Sequence, residues 1–268
     1  MSRRRAAPEL IASTDEFAVM RDPRNPTGRL LLQGSMEASY VDLADPARLE
    51  FDYLRRMRDL VEATGARRVV HVGGAGCALA RALAAAQPDH RQEVLELDPE
   101  VLEVARAHLG LRRAPGLRVH VGEGRAVLAG RPDGSADAVL IDAFVGARVP
   151  RHLVTLEALA DLARVVAPAG WVAVNVVDAR PLDEAAAVLA GLRAVFAHVT
   201  AVAPSATLAR RRGGNIVLAG SHAPLPLARL RGPAAADRSP AAVLEAGDVD
   251  AFVRGALPWR DGAAAAAV

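Results

Sequence analysis

Lysine is absent from this chain: its 33 basic residues are all arginine, and 31 acidic residues leave a formal net charge of +2. So even a balance argues against a chain built to coat nucleic acid. Aromatics make up only 3% of residues, which removes the stacking platform such a surface would need. The two arginine clusters, Arg3–Arg5 and Arg210–Arg212, read as a chain end and a solvated hairpin turn. With the heavy use of Ala, Gly and Pro, the missing lysine reads as the mark of a GC-rich genome. One cysteine, Cys77, excludes an internal disulfide framework and suits a reducing, cytoplasmic setting. No apolar run approaches the roughly 18 residues of a membrane span. The start, MSRRRAAPELIASTDEF, lacks the apolar stretch of a secretory leader. No His/Cys/carboxylate cluster has metal-ligand spacing, so no metal is expected.

What is present is enough for a full core, as one large domain or a main domain with a small appendage. Residues 1–45 hold short β-type runs, EFAVMRD, RLLLQG and MEASYVDL, split by DPRNPTG, which predicts a small N-terminal β-domain. A helix is expected from Asp45 as N-cap and Pro46 as first residue to Gly65, with Leu49, Tyr53, Met57 and Leu60 on one apolar face. From residue 66 strands and helices alternate: RRVVHVGG, EVLELD, LRVHVGEG, ADAVLIDA and AGWVAVNVVD are strands, apolar on both faces. That pattern belongs to a parallel sheet covered by helices. AHVTAVAP and NIVLAGS are too close for a helical crossover and predict a terminal antiparallel hairpin. Residues 46–222 are thus expected to form one Rossmann-like domain, whose ligand the strand-end loops must identify. Residues 223–268 form an Ala- and Pro-rich tail with one short helix, AAVLEAGDVDAFVRGAL, and a final AAAAAV expected to fray.

Gly73, Gly74 and Gly76 end the first parallel strand and lead into a helix, where ligands gather in such sheets. The GxGxxG fingerprint of dinucleotide sites is broken, because its third glycine position is Leu79. Glu96, at the tip of the second strand, is placed to accept both hydroxyls of a ribose. Glu123, between Gly122 and Gly124, is placed to accept from an adenine amino group. Asp142 closes an apolar strand and faces the crevice. Asp98 reads as the cap of the next helix. His71 and His120 read as core histidines, Cys77 as a small core residue, and His152 as a neighbour of the loop that follows Asp142.

Five parallel strands ending in an antiparallel pair resemble the class I S-adenosylmethionine-binding, methyltransferase-like α/β fold. More specifically, LLLQGSMEASYVDLADP, VVHVGGAGCALAR, VLELDP, VHVGEGR, VLIDAF and GWVAVNVVD occur in the order seen in spermidine synthase-like proteins, the polyamine aminopropyltransferases. The resemblance spans roughly residues 30–220. It implies a transferase that moves an aminopropyl group from decarboxylated S-adenosylmethionine to a small amine. In that reading Glu96 takes the ribose, Glu123 and Gly124 the adenine side, Gly73, Gly74 and Gly76 the donor, and Asp142 and Tyr53 the reacting amine. By analogy a homodimer is expected, with no nucleic acid or membrane partner.

The chain departs from the family at informative places. The family's GGGDG is GGAGC, with Gly76 at the acid's position. Its DSSDP is DAFV, with Val145 in place of the second acid and Arg148 nearby; its GDG is GEG. Glu37 stands near the family's glutamine, and Glu37, Glu50 and Asp52 are candidates to replace the lost acid. Methyl transfer from intact S-adenosylmethionine and a non-catalytic nucleoside-binding role are the alternatives these departures keep open.

Overall fold

The computed structural model describes residues 8–114 and 116–262, so the Arg3–Arg5 cluster and the terminal AAAAAV lie outside the described residues. The chain opens with a four-stranded antiparallel sheet in sequential order: β1 (Glu9–Ser13), β2 (Phe17–Asp22), β3 (Asn25–Gln33) and β4 (Met36–Asp42). Strand alternation turns Phe17, Val19, Leu31 and Val41 inward. β1 has no counterpart in the sequence reading, because ELIAS is a short edge strand with little buried surface to leave a pattern. Asp42 closes the sheet. It accepts from Asn25 Nδ2 at 2.6 Å, Thr27 Oγ1 at 2.7 Å and the Ala44 amide at 2.9 Å. Burial alone pushes its carboxyl up; these bonds outweigh that and hold its pKa at about 2.

Helix α1 (Asp52–Thr64) begins later than the Asp45–Pro46 signal predicts. Asp45 caps only a turn, accepting from the Ala47 amide at 3.1 Å. The carbonyls of Leu49 and Glu50, which a longer helix would use, instead accept from Arg55 Nη1 at 3.1 and 2.6 Å. The end is as expected: Gly65 takes φ +69°, a left-handed cap. Leu54, Met57, Leu60 and Val61 give α1 its buried stripe.

There follow β5 (Arg68–Val72), α2 (Ala78–Ala86), β6 (Arg91–Glu96), α3 (Pro99–His108), β7 (Leu117–Val121), α4 (Gly124–Ala129) and β8 (Ala136–Ile141). Next come α5 (Leu156–Val165), β9 (Val166–Asp178), α6 (Asp183–Val195), β10 (His198–Ala203), α7 (Ser205–Leu208) and β11 (Gly214–Ser221). The tail adds α8 (Leu227–Ala236), β12 (Ala242–Val243) and α9 (Ala246–Val253), so its described residues hold two helices and a strand where the sequence predicts one helix. The missed helix, α8, carries Pro233 inside it and buries mainly Leu230 and Ala234, too little for a periodic signal.

The main sheet runs β12-β10-β11-β9-β8-β5-β6-β7. β7, β6, β5, β8 and β9 are parallel, and β11, β10 and β12 are joined to them antiparallel. One face carries Val69, Leu140, Trp171 and Val217 against α1, α2, α3, α8 and the N-terminal sheet. The other carries Val72, Ile141, Val174 and Leu218 against α4, α5, α6 and α9. His71 is a core histidine, its Nε2 at 2.9 Å from Gln92 Oε1, with burial holding its pKa near 4. His120 is not. It stands exposed on the edge strand β7, 3.6 Å from Glu93, because an edge strand has no covering neighbour there. The Arg210–Arg212 turn is likewise only partly solvated: Arg210 lies over the Phe252 ring at 4.9 Å and donates to the Pro181 and Phe252 carbonyls.

Candidate active site

Strand order reverses at β5, where the chain steps to β6 and β7 on one side and to β8 and β9 on the other. Ligand crevices open beyond the strand ends at such a point. Here the crevice is a hollow of about 1040 Å³ between the main sheet, the start of α1 and β4. Gly73 sits at its floor with φ +77°; a Cβ there would come within 2.6 Å of the Asp142 carbonyl. The two strand ends therefore touch only because this residue has no side chain.

Glu96 anchors the glycine turn. Its Oε2 accepts from the amides of Gly74 and Ala75, each at 3.0 Å, and its Oε1 from Asp98 at 3.1 Å. These amides are therefore satisfied from within the protein. A carboxylate already occupies the anion-binding nest, which disfavours a phosphate there. Each carboxylate oxygen keeps further acceptor capacity for ribose hydroxyls. Asp98 caps α3 as expected, accepting from Glu100 at 2.8 Å. Gly76 turns away from the hollow: a Cβ there would meet Ser39 Oγ at 2.7 Å and Leu109 Cδ1 at 3.1 Å. β4 packs onto this side of the turn, through Ser39.

Asp142 follows β8 on the face that packs against α1. Its Oδ1 accepts from Asn175 Nδ2 at 2.9 Å, and the Tyr53 phenol lies against the same carboxylate. Burial raises its pKa to about 6; the bonds from Asn175 and Tyr53 pull it down, and the charge of Glu96 adds to the rise. Burial, then the charge of Asp142, pushes the Tyr53 phenol well above its usual value. Phe51 stacks on Tyr53 with ring centroids 6.0 Å apart. Asn175 is absent from the sequence reading. Its signal was one polar residue inside GWVAVNVVD at inward-facing parity, and it is only 1% exposed, with Oδ1 unpartnered.

Glu123 also lines the hollow, and its carboxylate caps α4: it accepts from Arg125 at 3.0 Å and Ala126 at 2.7 Å, with His152 Nε2 at 3.2 Å. Gly124 lets α4 start against β5, since a Cβ would lie 2.4 Å from Val72 Cγ1. Arg148 does not approach Asp142; it bridges to Glu184 at 3.3 Å, across a tight turn in which Val145 and Arg148 pair. Cys77 is buried, and desolvation pushes its thiol to about 12, so it is a core residue. Among the described residues no helix is long and apolar enough to cross a membrane.

No protein-family model matches the chain. A polyamine aminopropyltransferase of Vibrio vulnificus is 30% identical over 139 residues, 51% of this chain and 46% of that one. One of Chromobacterium violaceum is 29% identical over 138 residues. The chain spans about half the length of these curated relatives. The crystal structure of a probable spermidine synthase from Corynebacterium glutamicum is 28% identical, covers 98% of this chain and 99% of its own, and superposes with a TM-score of 0.86. A spermidine synthase bound to the transition-state analogue AdoDATO shares the fold at 15% identity and a TM-score of 0.65, covering 93% of this chain and 85% of its own. In sequence and in fold, then, this chain is spermidine synthase-like, built on a class I S-adenosylmethionine-type sheet.

Proposed function

We propose that this protein transfers an aminopropyl group from a decarboxylated S-adenosylmethionine-type donor to a small amine. One observation carries the reading: a buried aspartate with a pKa near 6, flanked by Asn175 and Tyr53, shares a hollow with the ribose-ready Glu96. Glu96 holds the nucleoside so that its sulfonium arm lies toward Asp142. The acceptor enters between Tyr53 and Asn175. Asp142, ionised at neutral pH yet more basic than a solvated carboxylate, takes the amine proton as the nitrogen attacks the carbon next to sulfur. The C–N bond forms, the C–S pair returns to sulfur, and methylthioadenosine leaves. The hollow holds the reactants together, which supplies much of the rate. Methyl transfer is not favoured, because the likeness that covers the whole chain is to a probable spermidine synthase. Cytoplasmic placement belongs to the same proposal and is supported by the one unpaired cysteine.

Product mass spectrometry with intact and decarboxylated donors against a panel of amines tests the proposal. It predicts equal amounts of methylthioadenosine and aminopropylated amine from the decarboxylated donor alone. Asp142→Asn should lower turnover about 100-fold or more while leaving methylthioadenosine affinity within a few fold. Methylated product, or undiminished turnover in the variant, would refute it.

A further inference from the structure

The acceptor end of the hollow extends outward from Asp142. Asn175 and Val177, two apart on β9, share one face, and Asn215 stands opposite Val177 in the β9–β11 register. The loop after β8 supplies Phe144 and Val145, the latter 73% exposed. None of these side chains is charged. The nearest acids on α1 and the segment before it are already neutralised from within. Glu50 pairs with Arg238 at 3.1 Å and Arg48 at 3.3 Å; Asp52 pairs with Arg56 at 2.6 Å and accepts from Ser239 Oγ at 2.9 Å. Arg238 itself lines the hollow, so this wall presents a guanidinium beside its carboxylate. Asp178, next on β9, faces away and accepts from the Ala185 amide at 2.9 Å. Glu37, on the exposed tip of the β3–β4 hairpin, lines the outer rim of the hollow, where water and salt screen it.

A diamine dication needs a counter-charge at each end, because an ammonium held in a closed site without one is strongly disfavoured. Among the described residues, beyond the donor's Glu96 only Asp142 supplies this hollow with a buried carboxylate that has no arginine partner. Resting on the aminopropyl-transfer reading, we infer that the acceptor is an amine with a single positive charge, its uncharged remainder lodged against Phe144, Val145 and Val177. The reacting nitrogen gives its proton to Asp142 and its electron pair to the new C–N bond. No second ammonium has to be housed.

Isothermal titration compares butylamine with 1,4-diaminobutane, equal in length, on the enzyme saturated with methylthioadenosine. Butylamine should bind at least as tightly as the diamine. Val145→Asp, on an exposed loop that tolerates the change, should shift the ratio tenfold or more toward the diamine. Arg238→Ala combined with Arg48→Ala, which together free Glu50, should shift it the same way. The inference is overturned if the unaltered enzyme prefers the diamine tenfold or more, if neither amine binds, or if both variants leave the ratio unchanged. Failure of methylthioadenosine to bind would instead remove the transfer reading; the amines are then titrated against the free enzyme, and the same ratio decides.

Discussion

Asp142 is the base in the proposed reaction, and its environment makes a prediction beyond activity. Its folded pKa is raised from 3.8 to about 6, so protonation is favoured in the folded state. The stability it contributes is fully present below about pH 3.8 and is lost as pH rises through about 6. At pH 7.5 the buried charge costs about 3 kcal/mol by this linkage. Asp142→Asn removes that cost while keeping an acceptor for Asn175. Urea unfolding should therefore show the variant gaining on the parent at pH 7.5 but not at pH 4; equal differences at both would contradict the assignment. Glu96 and Asp142 were readable in the sequence because each ends an apolar strand. Asn175 was hidden, because an amide within a strand carries no local mark of which neighbour it will meet.

At the scale of elements, carboxylates that accept from backbone amides hold two turns in place. Glu123, read as an adenine acceptor, holds the first turn of α4. Glu123→Ala should cost about 1 kcal/mol of stability, measured by urea unfolding, apart from any loss of nucleoside affinity. The N-terminal sheet depends similarly on Asp42. Asp42→Ala should destabilise the protein by about 2–3 kcal/mol at pH 7. Because its folded pKa is depressed to about 2, that contribution is present above 3.8 and is lost as pH falls through about 2. The gap between parent and variant should thus close in acid, and a gap unchanged at pH 2 would rule the account out. The glycine turn and the parallel strands were legible because their signals are local. The start of α1 was not, since Arg55 of the helix itself and Arg238, far along the chain, take the carbonyls a longer helix would have used.

Across the whole molecule, the N-terminal sheet and the main sheet close on each other through Ser39 and Gly76, and the tail is tied back by a bidentate pair between Arg55 and Asp237 at 2.5 and 2.7 Å. That pair sets Ser239 and Arg238 in the wall of the hollow, so the tail helps to shape it. Periodicity foretold the sheet and its antiparallel finish, but not this closure, which depends on contacts between segments far apart in the chain. The most direct test is a crystal structure with bound methylthioadenosine. The account predicts the ribose hydroxyls on Glu96 and the sulfur turned toward Asp142 beneath Tyr53. A nucleoside bound elsewhere, or one whose sulfur points away from Asp142, would contradict it.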